Sequence, residues 1–527
     1  MKQLSSAAVA APGFYGLNTQ ESGAVLSDGF ALVASNCVID KYGRLGARKG
    51  WVQKTTATGG LGSAPLYSIF EYLNADGTFD YLSAGNNKLW RGGIGATLTD
   101  ITPTMTITDN HWQMASLNDH CLMTQKSHLP VLFSRESGSP VCTTLVGHAA
   151  HGGDYTSPVF GTGTSNAPNT CLAAYGRFWV AGSTASPTTV FWSTDIADTH
   201  FPTFNTGGAR TSGSINIASK LPNNTDEIVA LAAHNGFLVI FCKQNIVILS
   251  GAETPATAMT ISDVIPGIGC IARDSVQKTG NDLLFLSASG VRSLGRTIQE
   301  KSMPMRDISK NIRDDLFDAI ANTEAKLIKS CYSEKFGFYL LSFPSTASPI
   351  VYCFDLKQAL PDGASRVTTW NSYAGYAFSA NRDGSLYIGK PAGIGEYTGY
   401  QDNGLKYTFT YYTNYFDFDQ PTTNKIIKKL GFVLIGGGGQ RFVAKIGFDY
   451  SNKYNSYPVL METGAYAEYN IGEYNIAEYS SGVVIDDVSV AVGGQGKIIQ
   501  MGFEAEVSGS PLSVQKMDIF IKQGKTY

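Results

Sequence analysis

Short apolar runs alternate with Gly, Asn, Ser and Pro turns along most of this chain, and the same unit recurs. In FDYLSAGNNKLWRG (79–92) an apolar strand leads to a Gly85-Asn86-Asn87 turn, and a second strand follows with Leu89 and Trp90. Six more segments read the same way: 119–136, 175–195, 231–251, 281–296, 335–357 and 373–390. Each predicts a β-hairpin. One hairpin cannot bury both of its faces, so repeats at this spacing predict stacked blades. The pattern predicts an all-β fold with a β-propeller of seven blades over residues 56–404. Gly/Ser/Thr-rich stretches at 137–170 and 205–225 read as loop insertions.

Three segments depart from the repeat. In 307–330, Ile308, Ile312, Leu316 and Ile320 recur every four residues, which predicts one helix of about three turns over 308–321. Asp307 or Ser309 would cap its start. From Leu405 the strands lengthen and alternate more cleanly. In RFVAKIGFDY, Phe442, Ala444, Ile446, Phe448 and Tyr450 share one face, and Met517, Ile519 and Ile521 repeat the pattern. This predicts a separate antiparallel β-sandwich over 405–527. Residues 1–55 form an entry segment, either closing the circular array of blades or clasping a neighbouring molecule.

Inside the sandwich, EYNIGEYNIAEY places Glu468-Tyr469, Glu473-Tyr474 and Glu478-Tyr479 at a period of five. That period forms no stripe on a helix and alternates faces on a strand. A string of tight turns presenting Tyr and Glu explains it better, and these six residues are the candidate docking surface for a partner.

Composition sharpens the picture. Charged residues are only 16%, against roughly 25% in soluble domains, while there are 57 Gly, 27 Tyr and 27 Phe. Low charge with many aromatics suits a β-rich protein that buries surface against neighbours. The net charge of −3 gives no support to tight nucleic-acid binding. Eight cysteines lie mostly inside apolar strands without a C-x-x-C pair and read as buried free thiols. No run approaches the ~18–20 apolar residues of a membrane-spanning helix. The apolar stretch of MKQLSSAAVAAPG is too short for a secretory signal, so that route is not expected.

Catalytic signatures are sparse. G-x-S-x-G, a Walker loop and H-E-x-x-H are missing from the sequence. GGIG (92–95) and GGGG (436–439) read as turns. His148, His151 and Asp154 have metal-ligand types and spacing, but they fall in a Gly-rich loop with nothing to hold them rigid. Asp383 and Glu396 are the carboxylates a glycosidase would need, although NRDG already explains Asp383 as a turn residue. Lys425, Lys428 and Lys429, with Phe416 and Phe418 upstream, form the single basic cluster and read as a solvated strand end. The reading is therefore non-enzymatic, with no metal and no cofactor.

The opening GLNTQESGAVLSDGFALVASNCVIDKYGRLGARKGW resembles the start of tail nozzle, or tail hub, proteins of short-tailed bacteriophages. The matching residues are Gly16, Leu17, Asn18, Asn36, Asp40, Gly43, Leu45, Arg48 and Gly50, with Lys49 where a Pro is common. The helix DISKNIRDDL and the Glu-Tyr repeat are similar to features of that family. The resemblance implies a virion protein made in the host cytoplasm. It implies a ring of six copies below the portal and adaptor, contacts with tail fibre or needle proteins, and genomic DNA passing without sequence recognition. Such a ring continues the conduit, retains the genome and opens for ejection. Its lumen is expected not to be strongly basic. The competing class is a glycan-binding or glycan-degrading propeller.

Overall fold

The computed structural model describes residues 5–55, 60–74, 76–135, 140–145, 160–161, 163–205, 211–222, 225–280, 282–299, 307–344, 349–371, 373, 375–451, 453–461 and 485–524. Nearly all of the regular structure is β, and the hairpin signals account for its order. At the first hairpin, Asn86 and Asn87 take φ of 52° and 56°. Two successive left-handed residues make the tight turn whose twist matches the strands it joins. Asn118-Asp119 and Asn235-Gly236 make the same turn in later hairpins.

Six self-contained blades follow from these hairpins. Blade 1 spans Ser68–Leu73 to Thr99–Asp100, blade 2 Gln113–Leu117 to Val141–Thr144, blade 3 Thr170–Ala174 to Gly213–Asn216, and blade 4 Ile228–His234 to Thr260–Pro266. Each has four antiparallel strands. Blade 5 has three, from Gln277–Thr279 to Gly290–Ser293, and the helical stretch Leu294–Gln299 packs back on them. Blade 6 takes Ala377–Ala380, Leu386–Lys390 and Gly393–Tyr397 from one part of the chain and Trp51–Gln53 from the entry segment.

The expectation of seven separate blades is corrected to six. The strands around 335–357, Lys329–Ser333 to Ser365–Asn371, are not a closed blade. They are one end of a ten-stranded sheet, continued by Gly16–Leu17, Phe30–Ser35, Tyr407–Phe416, Ile499–Val507, Arg441–Phe448 and Asn455–Leu460. Ser365–Asn371 accepts Gly16–Leu17 and Phe30–Ser35 in parallel, so the outer edge that would end a blade is paired. Gly16 permits this close approach: a Cβ there would lie 2.5 Å from the Val367 carbonyl. Between blades, apolar faces make the cores, as where Tyr72 and Leu82 of blade 1 meet Val131 and Phe133 of blade 2.

The C-terminal part pairs the far half of the shared sheet with a seven-stranded sheet. The latter contains Lys425–Gly436, Leu512–Gln523, Ile485–Ala491, Leu45–Ala47 and Cys37–Ile39, with Ser5–Ala10 and Gln495–Gly496 at its flanks. Phe442, Ala444 and Ile446 of one sheet and Met517, Ile519 and Ile521 of the other are all at 0% exposure, and Phe432 meets Phe442 with ring centroids 5.2 Å apart. Tyr450 is 48% exposed instead of joining its expected face, because the strand ends at Phe448 and Asp449-Tyr450 form a left-handed turn.

The helix is shorter than expected. Lys310–Ile312 is a 3-10 turn, and the α-helix runs Arg313–Ala321 without a side-chain cap. Ser309 Oγ instead accepts from the Val291 N–H at 2.9 Å, and Asp307 pairs with Arg313 at 2.9 Å. Ile308, Ile312 and Leu316 are buried in the core that runs from blade 5 into the C-terminal sheets. The eight cysteines are unpaired.

Candidate functional site

One concentration of buried polar chemistry lies where the entry segment, blade 6 and the shared sheet meet. Arg48 follows the strand Leu45–Ala47 and is fully buried. Its Nη1 and Nη2 donate to the two carboxylate oxygens of Asp402 at 2.8 and 2.7 Å, and Nε donates to Asn36 Oδ1 at 3.0 Å. Its guanidinium lies 4.5 Å from the Tyr373 ring centroid and 4.1 Å from that of Tyr407. The Tyr407 hydroxyl donates to the Arg48 carbonyl. The planar fork satisfies both carboxylate oxygens while its faces stack on the two rings, a pairing that only arginine can make.

Asn36 and Gly50 of the entry segment also meet this junction. Asn36, at φ 56°, donates its N–H to the Thr369 carbonyl at 2.6 Å and its side-chain amide to Thr408 at 2.8 Å. Asp40 accepts the backbone N–H groups of Tyr42 and Arg44 at 2.8 and 2.9 Å and so folds the turn that Gly43 completes. Gly50 presses on the backbone of Gln401, where a Cβ would lie 1.9 Å from the carbonyl oxygen.

Beside Arg48, the Lys390 ammonium sits 4.1 Å from the Tyr373 centroid and 4.9 Å from that of Trp51. Burial pushes its pKa down to about 7, with Asp402 opposing and Arg48 adding to the shift. An unfolded Lys titrates near 10.4. Between these values the unfolded chain holds the extra proton, so stability rises with pH. The wild type is therefore expected to gain about 2 kcal/mol relative to Lys390→Met between pH 7 and pH 9. Urea midpoints of the two proteins at both pH values check this.

A second cluster closes one end of the propeller axis. Asp109, His111, Arg273, Asp274, Lys326 and Lys329 all lie just before or at the start of the first strands of blades 2 and 5 and of the shared sheet. Arg273 donates to the carbonyls of Asn169 at 2.7 Å and His111 at 3.0 Å, so one side chain of blade 5 reaches the lead-ins of blades 3 and 2. These blades are not neighbours in the ring, and the guanidinium therefore crosses its centre. Asp274 accepts from Arg273 Nε at 2.8 Å and from Lys329 Nζ. Asp109 lies 2.6 Å from His111 Nδ1 and 3.3 Å from Lys326. Burial opposes ionisation of Asp274, but Arg273 and Lys329 outweigh it and hold the carboxyl well below its usual range. This cluster is drawn from residues 220 positions apart, so no local motif announces it. The Arg273-Asp274 pair before a strand is the sole trace in the sequence.

The other candidates are placed as follows. Asp383 accepts from the Ser385 N–H at 2.8 Å and Oγ at 3.0 Å, as a turn residue does. Glu396 pairs with Lys54 at 2.8 Å. Lys425 is buried and donates to the carbonyls of Gln420 and Lys497, leaving Lys428 and Lys429 exposed; Phe416 is buried and Phe418 packs beside it. His148, His151 and Asp154 lie outside the described residues, as do Glu468, Tyr469, Glu473, Tyr474, Glu478 and Tyr479. Among the described residues no three His, Cys, Asp or Glu are grouped to hold a metal ion. No described helix is long and apolar enough to cross a membrane, a statement that does not bear on β-barrels.

The sequence matches no protein-family profile and no curated protein. Solved structures resemble the chain at low identity and with TM-scores below 0.5. The extracellular domain of a hybrid two-component system from B. thetaiotaomicron is 12% identical, with a TM-score of 0.41, over 87% of this chain and 61% of that one. The chain thus spans less than two thirds of that structure. The Swd1 propeller of Myceliophteria thermophila is 9% identical, with a TM-score of 0.38, over 67% and 98%. An exo-β-1,3-galactanase from Phanerochaete chrysosporium is 11% identical, with a TM-score of 0.27, over 79% and 96%.

Proposed function

We propose that this chain is a structural subunit of a short-tailed phage tail, one of a ring of copies forming the nozzle or hub below portal and adaptor. The observation that carries the reading is the ten-stranded sheet that runs from the propeller into the C-terminal sheets without a break. A continuous hydrogen-bonded sheet joins the two parts more stiffly than a linker, as a load-bearing conduit requires. The junction is locked further by the Arg48–Asp402 pair, in which Arg48 belongs to the entry segment on which the resemblance rests.

The ionic cluster supports the same reading. Arg273 ties the lead-ins of blades 5, 3 and 2 together, and on this reading DNA passes through the centre of the ring of copies rather than through a propeller. A head-to-tail ring needs two different surfaces on each subunit, and the propeller and C-terminal sheets supply two. The Glu-Tyr repeat belongs to this proposal as a docking segment for a neighbour, fibre or needle protein. The purified chain is expected to co-purify with portal and adaptor proteins when these are co-expressed. A chain that elutes alone beside an intact portal–adaptor complex would oppose the proposal.

A further inference from the structure

At the end of the propeller opposite the ionic cluster, the first hairpin turns of blade 5, the shared sheet and blade 6 enclose a cleft of about 540 Å³. Five of its lining residues are charged and exposed: Lys278, Glu334, Lys335, Arg382 and Asp383. Tyr332 forms part of its wall and is half-buried. Three cations from three neighbouring hairpins thus line one cavity, Lys278 at the end of a strand and Lys335 and Arg382 in turns.

The turns are held in place by local contacts, among them the Lys335 ammonium 5.8 Å from the Phe336 ring centroid. The Lys335 stem lies against Gly384, where a Cβ would sit 3.1 Å from Lys335 Cδ. The Arg382 backbone N–H donates to Glu71 Oε2 of blade 1 at 3.2 Å, and the Arg382 charge also attracts that carboxylate, which together fix the blade 6 turn. Asp383 ties down the same turn through Ser385.

We infer that this cleft between the turns of blade 5, the shared sheet and blade 6 binds an acidic saccharide, one bearing a carboxylate on a sugar ring. The cations select an anionic ligand through charge-assisted hydrogen bonds. Glu334 and Asp383 work against a dense polyanion such as nucleic acid, since they leave the rim with only one net positive charge. They accept hydrogen bonds from hydroxyls, which a sugar offers and a phosphate chain does not. Tyr332 adds an apolar ring face for the sugar ring, and the cleft has the volume of a small-ligand site. The inference is independent of the ring proposal, because all six residues belong to one copy.

Calorimetric titration of the full chain with trigalacturonate tests it, with neutral trigalactose and poly-glutamate as comparisons. Saturable binding to the uronate, at least about tenfold tighter than to the neutral sugar, is expected. Lys278→Ala/Lys335→Ala/Arg382→Ala should abolish it, and Tyr332→Ala should weaken the uronate while leaving any poly-glutamate binding unchanged. The three cations are exposed and Tyr332 is half-buried, and an unaltered melting temperature verifies that the variants fold. Absent uronate binding, equal affinity for the neutral sugar, or unchanged binding in the triple variant would overturn the inference. Poly-glutamate binding as tightly as the uronate would overturn it too, and would assign the cleft to acidic peptides.

Discussion

Replacing Arg48 with methionine is expected to destabilise the folded chain by about 3–5 kcal/mol. The methionine fills much of the space but leaves the Asp402 carboxylate, 15% exposed, without either of its donors, and strands Asn36 Oδ1. An uncompensated buried charge accounts for most of that cost. Arg48→Lys should recover less than half of it, since an ammonium can neither bridge both carboxylate oxygens nor stack between Tyr373 and Tyr407. Removing both charges, in Arg48→Met/Asp402→Leu, should restore more stability than Arg48→Lys does. Urea unfolding followed by tryptophan fluorescence measures all three. The loss should appear first in blade 6, whose fourth strand, Trp51–Gln53, begins three residues after Arg48.

Asp274→Ala is expected to have an effect of similar size for the opposite reason. It leaves two cations, Arg273 and Lys329, at side-chain exposures of 7% and 6% with their shared anion removed. A cost of about 3–5 kcal/mol follows. Its pH dependence is distinctive. The Asp274 carboxyl is held below its unfolded value, so its contribution is fully present above about pH 4 and is lost as pH falls through the folded value. The wild type should therefore lose stability steeply in acid, and Asp274→Asn should show a flatter acid limb from a lower plateau. Thermal melts from pH 7 down to about pH 2 read both.

How far the sequence announces this molecule depends on how local each feature is. The hairpins are legible because their turns are: Asn-Asn and Asn-Gly need left-handed backbone, and the strands beside them are apolar. The alternation in Phe442, Ala444 and Ile446 marks a buried face correctly, since that strand is regular over this stretch. The separateness of the blade at 335–357 is not legible. Ser365–Asn371 reads as an outer strand, and its partners Gly16–Leu17 and Phe30–Ser35 lie more than 300 residues away. The helix stripe identifies Ile308, Ile312 and Leu316 as core, but periodicity cannot tell a 3-10 turn from the first turn of an α-helix, so the start is placed five residues early.

The polar features divide in the same way. Asp383 in NRDG reads as a turn residue from its immediate neighbours, and its bonds to Ser385 are local. Arg48 is visible as part of an entry motif, but its partner Asp402 lies 354 residues away. The axis cluster joins Asp109 to Lys326 across 217 positions. Charges this far apart in sequence carry no spacing signal, and only the closure of the ring brings them together. The cleft lined by Lys278, Lys335 and Arg382 is hidden for the same reason, since its cations come from three hairpins far apart in sequence, each reading as an ordinary solvated strand end or turn.

The reading of the whole rests on assembly, and imaging the purified full-length chain in negative stain tests it most directly. The proposal predicts closed rings of six copies with an open centre, each copy showing a propeller and a second lobe. A field of single particles at concentrations well above those of a virion assembly reaction, unchanged by added portal–adaptor complex, would contradict it.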